Sequence, residues 1–121
     1  MFLNITNHPS TDWPQAQRAA AMAIASPITD LPFPNVPPEA DEIEVESLGR
    51  EILEKTSRFN PSAALVEGDF TLTYFLVREL MKRGVVCYIA TTPRITAVKL
   101  TGPHSSEKVS QFHFTRLRRY Q

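Results

Sequence analysis

Apolar residues in this chain fall into two patterns, short unbroken runs and longer stretches with helical spacing. Phe2-Leu3-Asn4-Ile5 is the first run and reads as a short buried strand. A helix over 13–25 follows, with Pro14 tolerated in its first turn. Its alanine-rich part, from Ala19 to Ala25, allows close packing on a sheet. The segment 28–31, bounded by Pro27 and Pro32, is a second, brief strand. Val45, Leu48, Ile52 and Leu53 are spaced three and four apart and predict a helix over 41–57. Ala63–Val66 is a third strand. Leu72, Leu76 and Leu80, with Phe75 beside them, stripe a third helix that begins near Phe70 or Thr71 and stops at Gly84, the expected left-handed cap. The continuously apolar segment 85–90 reads as a buried parallel strand. Beyond it, 94–101 and 108–116 read as a β-hairpin with its tip at Gly102-Pro103-His104-Ser105-Ser106.

The series is βαβαβαβ followed by a hairpin. Right-handed crossovers and short connections make this an α/β, Rossmann-like doubly wound parallel sheet of order 2-1-3-4. Three helices flank it, the hairpin extends one side, and residues 1–121 form a single domain. The prolines of 32–38 fix φ and disfavour helix and central strand, so that segment is a stiff loop. Strands one and three diverge at a switch point, and their loops bracket a crevice at the carboxyl edge, where ligands of open α/β sheets bind.

Composition narrows the partners. A hydrophobic fraction of 42% and a charged fraction of 21% are ordinary for a globular chain. The formal net charge is zero, so attraction to duplex nucleic acid or an anionic membrane is not the main design, and self-association into a homodimer is unopposed. The acidic run from Glu39 to Glu46 opens the second helix, where its charge suits the helix dipole. The one cysteine, Cys87, sits in the apolar run 85–90 and behaves as a small buried hydrophobe, not a nucleophile. No apolar segment approaches the roughly 20 residues needed to span a bilayer, and the chain starts directly in a strand without a basic leader. A cytoplasmic protein with no membrane partner is the expectation.

Three loops should meet at the carboxyl edge. The first, 6–12, supplies Thr6, Asn7, His8, Ser10 and Thr11 just before a helix N-terminus, where amides and dipole favour an anion such as phosphate. It lacks the glycines of a dinucleotide-binding fingerprint and the ending of a P-loop, so side chains must do much of the binding. Ser10 or Asp12 is equally suited to capping that helix. The second loop brings Glu67, Gly68, Asp69, Thr71 and Thr73. There Gly68 leaves room for close approach of a ligand, and Asp69 or Thr71 is suited to cap the third helix. The third brings Thr91, Thr92 and Arg94, whose guanidinium fork fits phosphate oxygens. Pro34 and Asn35 of the proline-rich loop complete the ligand-binding candidates. No HExxH pair, Cys/His cluster or calcium-binding loop appears, so no metal or other cofactor is expected.

The segments Leu3-Asn4-Ile5-Thr6-Asn7-His8-Pro9-Ser10, Asp30-Leu31-Pro32-Phe33-Pro34 and Glu67-Gly68-Asp69-Phe70-Thr71-Leu72-Thr73-Tyr74 together resemble the small CRISPR-associated Rossmann-like proteins of type III loci. The resemblance covers nearly the whole chain. Several proteins of this kind are similar to ring nucleases, which open cyclic oligoadenylate and switch off the antiviral response. What the resemblance implies is a homodimer that binds the cyclic messenger, tetra-adenylate foremost, across its two-fold axis. It further implies metal-independent attack of a ribose 2′-hydroxyl on the adjacent phosphorus. His8 would then accept the proton, or equally stack on adenine or bond to backbone, while Asn7, Ser10 and Thr6 position oxygens and Arg94 offsets developing charge. A non-catalytic sensor or sponge for the same messenger, and a protein-interaction module, are the alternative readings.

Overall fold

The computed structural model describes residues 1–93, 97–102, 105–109 and 113–121, with 97–102 and 105–109 described by backbone alone. The elements are β1 (Phe2–Ile5), α1 (Gln15–Ile24), β2 (Ile28–Asp30), α2 (Glu42–Phe59), β3 (Ala63–Val66), α3 (Phe70–Lys82), β4 (Val86–Thr91), β5 (Ala97–Gly102), β6 (Ser105–Val109) and β7 (Arg116–Arg119). A short 3₁₀ turn, Ser10–Asp12, precedes α1. The main sheet runs β2-β1-β3-β4-β7. Its first four strands are parallel, in the expected order, and β7 is antiparallel to β4.

Alternation along the strands divides the core into two layers. Leu3, Ile5, Ala64, Val66 and Cys87 face the layer that contains Ile52 and Leu53 of α2 and Leu72, Phe75, Leu76 and Leu80 of α3. Phe2, Ala63 and Leu65 face the other way, with Trp13, Ala21 of α1, Tyr88 and Leu117. The Phe2 ring meets Trp13 edge-on at 6.5 Å and stacks on Tyr88 at 6.2 Å. On the first side α2 and α3 approach closely because Gly49 carries no side chain; a Cβ there would overlap the Phe75 ring. Asp41 caps α2 by accepting the Glu44 amide at 2.8 Å. Gly84 (φ 81°) ends the α3 turn in the left-handed region, where only glycine is unstrained.

Two details depart from the sequence reading. The hairpin pairs β5 with β6 as a separate two-stranded sheet, and it is β7 that extends the main sheet. The strand expected over 108–116 is interrupted, because Thr91 at the end of β4 recruits 115–116: its carbonyl accepts the Thr115 amide at 2.8 Å and its hydroxyl donates to the Arg116 carbonyl at 3.1 Å. Helix α1 also begins later than Trp13. Neither Ser10 nor Asp12 caps it, and the Pro14 carbonyl takes the first helical amides, those of Gln17 and Arg18, at 3.0 and 3.1 Å. Among the described residues, no helix is long and apolar enough to cross a membrane.

Candidate functional site

Strands β1 and β3 pair in register from Phe2↔Ala63 to Ile5↔Val66, so the chain leaves both at the same edge. From there α1 and α3 depart to opposite faces, the arrangement of a switch point. The two loops that flank it are 6–12 and 67–69.

The first loop is built on Asn4, a fully buried amide in β1. A buried side-chain amide must find partners, and this one finds three. Its Nδ2 donates to the His8 carbonyl at 2.8 Å and to Asp30 Oδ1 at 3.0 Å, and its Oδ1 accepts the Thr6 hydroxyl at 2.8 Å. Asp30 ends β2 directly beside Asn4 and accepts the Ser10 amide on both oxygens at 3.2 Å. Trp13 Nε1 donates to the His8 carbonyl at 3.0 Å, and Arg18 Nη1 donates to the Ser10 carbonyl at 2.6 Å. The backbone of His8 is thus clamped from two sides. Its side chain is exposed, as are Asn7 and Thr11, whereas Thr6 and Ser10 are buried. Beside His8 lies an open hollow of about 450 Å³ bounded by Asp12, Trp13 and Pro14, at the first turn of α1.

The second loop is held locally. Asp69 Oδ1 accepts the Leu72 amide at 3.0 Å and the Thr71 hydroxyl at 2.6 Å. These bonds, the Thr71 hydroxyl foremost, hold the Asp69 carboxyl below its ordinary range. Asp69 and Thr71 are therefore engaged in the N-cap of α3, and both remain exposed. Gly68 has a different reason from the one expected. A side chain there would run into Phe33, whose ring is nearly fully buried over this edge. The proline-rich loop follows Thr6 through the bond from the Phe33 amide to the Thr6 carbonyl at 3.3 Å, which brings Pro34 and exposed Asn35 to the same rim.

Glu67 links the loops. It is half-buried, and its Oε1 accepts the Ala90 amide at 2.6 Å, carrying the β3–β4 ladder one step past the end of β3. Burial raises its pKa above the ordinary 4.5, while the Ala90 amide and the nearby His8 imidazole pull the other way. Tyr120 closes the far side, its hydroxyl donating to the Val66 carbonyl at 3.0 Å. Burial, reinforced by the Glu67 charge, raises the Tyr120 pKa. Thr92 is exposed at the end of β4, and the Thr91 hydroxyl is committed to β7. Thr73 lies on the buried outer side of α3, and Arg94 lies outside the described residues. Burial pushes the Cys87 thiol up to about 11, which keeps it an inert thiol.

Asn4, Asp30, Trp13 and Arg18 were not read as site residues. A polar side chain inside a four-residue buried strand was the available signal for Asn4. The others follow only once β1 and β2 are set in register. Among the described residues, no three His, Cys, Asp or Glu side chains converge as a metal site.

Fold and edge together define a Rossmann-like α/β domain with polar loops at the carboxyl ends of its first and third strands. The chain belongs to the uncharacterized protein MJ1673 family, which it matches over residues 1–118. No curated protein and no solved structure matches it.

Proposed function

We propose that this chain is a metal-independent ring nuclease of type III CRISPR signalling, acting as a homodimer on cyclic oligoadenylate, with tetra-adenylate as the preferred ring. The observation that carries the reading is that exposed His8 and half-buried Glu67 both follow the register-paired strands β1 and β3 at one edge of the sheet. In-line transesterification needs two proton movements, and this pair supplies both. His8 accepts the proton of a ribose 2′-hydroxyl as its oxygen bonds to the adjacent phosphorus. Glu67, biased by burial toward its protonated form, donates a proton to the departing 5′-oxygen as the P–O5′ bond breaks. The products are a 2′,3′-cyclic phosphate and a free 5′-hydroxyl. Asn7 positions a phosphate oxygen, and Arg94, three positions after β4 in the sequence, offsets the charge on phosphorus.

The open hollow beside His8 favours a second reading, sequestration without cleavage, since none of the described residues closes over it. One experiment separates the two. The protein, in excess, is incubated with cyclic tri-, tetra- and hexa-adenylate in EDTA, and the products are separated by chromatography. Linear products from tetra-adenylate support the nuclease. Intact rings that are retained in equilibrium dialysis support the binder, and the absence of both turnover and binding defeats the messenger reading.

A further inference from the structure

Helix α3 is apolar on two sides, and its own chain covers only one. Leu72, Phe75, Leu76 and Leu80 face the core. The outer stripe carries Phe70, 90% exposed, Tyr74, 68% exposed, and Met81, 41% exposed, over Val77, which is itself buried. These residues border a groove of about 800 Å³ that continues onto Ile89 and Tyr120. A helix apolar around most of its circumference belongs in an interior, and a contiguous apolar face of this kind marks an interface. The groove also holds a buried polar atom with no partner, Thr73 Oγ1.

We infer that α3 pairs with α3 of a second copy, antiparallel, across a two-fold axis that passes between Phe75 and Leu76. A two-fold contact is self-complementary: residue i meets j, and j meets i. About that axis the stripe reads the same from both ends. Phe70 meets Met81 of the partner subunit, and Tyr74 meets Val77 of the partner subunit. Asp69 at the helix start comes opposite Lys82 of the partner subunit at the helix end. Thr73 comes opposite Arg78 of the partner subunit, a neutral residue facing a cation. A parallel pairing instead sets Asp69, Arg78 and Lys82 each against its own copy, three like-charge contacts. The charges therefore select the antiparallel dimer. Such a dimer sets the two carboxyl edges at opposite ends of the helix pair, about 20 Å apart for a helix of this length. Each His8–Glu67 edge then works alone and no ring spans the axis. The inference stands whether or not the nuclease reading does.

Sedimentation equilibrium on the full chain at micromolar concentration, with disulfide trapping, tests it. The unmodified chain is expected to run as a dimer. Tyr74→Glu is expected to weaken association by roughly 100-fold or more, as loss of a central aromatic contact does, with an unchanged far-ultraviolet circular dichroism spectrum. A chain carrying Phe70→Cys, mixed with a chain carrying Met81→Cys, is expected to cross-link under mild oxidation. Phe70→Cys alone is not, because its two copies lie about 16 Å apart, beyond the Cα separation a disulfide tolerates. Buried Cys87 leaves the unmodified chain as the blank. A monomer mass, a dimer that survives Tyr74→Glu, or efficient cross-linking of Phe70→Cys to itself each overturns the antiparallel pairing.

Discussion

The two loops that flank the switch point are held by opposite means. The loop after β1 hangs from side chains remote in sequence: Asn4 beneath it, Asp30 across the sheet, and Trp13 and Arg18 beyond it. The loop after β3 has one remote tie at its start, from Glu67 to the Ala90 amide, and beyond it is held by Asp69, three residues from the amide it caps. Long-range polar clamps fix a backbone only when every member is present, and each member left unpaired in the interior costs more than its bond contributes. A local cap can be lost with the rest of the fold intact. The first loop is therefore a rigid mount for an exposed histidine, and the second is a helix start with a carboxylate beside it.

The largest effect expected from this contrast is on catalysis. The His8 carbonyl is held by Asn4 and Trp13, and the residue stands exposed at the edge. His8→Ala should slow opening of cyclic tetra-adenylate by roughly 10²–10⁴-fold, the range for loss of a general base. Unfolding free energy should stay within about 0.5 kcal/mol of the parent, as for an exposed position. Single-turnover rates and a denaturant melt check both halves. Equal rates in parent and variant would remove His8 from the chemistry.

Asn4→Ala should have the largest effect on stability, about 3 kcal/mol, because it removes three bonds at a fully buried position and leaves a polar void between Asp30, Thr6 and the His8 carbonyl. Urea denaturation with an unchanged m-value is the measure. A loss below about 1 kcal/mol would mean that the loop is not mounted on this amide. Asp69→Ala should cost only about 1 kcal/mol, the typical worth of an N-cap, and Asp69→Asn should restore most of it. Comparable losses at Asn4 and Asp69 would erase the distinction between the loops.

The same contrast explains what could be read from the chain. Strands such as Ala63–Val66 and helices such as α3 announce themselves through local pattern, and the order 2-1-3-4 follows from connectivity rules alone. Asp69 as a cap was legible for the same reason, since its partner lies three residues on. Asn4 and Asp30 were not, because their bond depends on the register Asn4↔Asp30 between two strands separated by a helix. Gly68 suggested a ligand, while its neighbour is Phe33 from a loop more than thirty positions earlier in the chain. Strand β7, Arg116-Leu117-Arg118-Arg119, escaped because it is an exposed edge strand with one apolar residue, and its place is set by Thr91.

The smallest effect expected is a pH dependence, and it runs in opposite senses at the two carboxylates. Burial raises the Glu67 pKa in the folded state above the ordinary 4.5, so between that value and the folded pKa the native protein holds a proton that the unfolded chain has released. Stability contributed by Glu67 therefore falls as pH rises through that window. Asp69 is the reverse: its capping bonds lower its folded pKa below 3.8, and the stability they contribute is lost as pH falls through that range. Glu67→Gln removes the first titration while keeping an oxygen for the Ala90 amide. The variant's unfolding free energy, measured by urea titration at a series of pH values from about 4.5 to 7, should gain on the parent as pH rises. Water reaches part of the Glu67 side chain, so the gain is modest. A difference that stays flat across the window, or shrinks, would show that Glu67 is ionised as readily in the fold as in the unfolded chain. It would then lose its place as the proton donor to the departing oxygen.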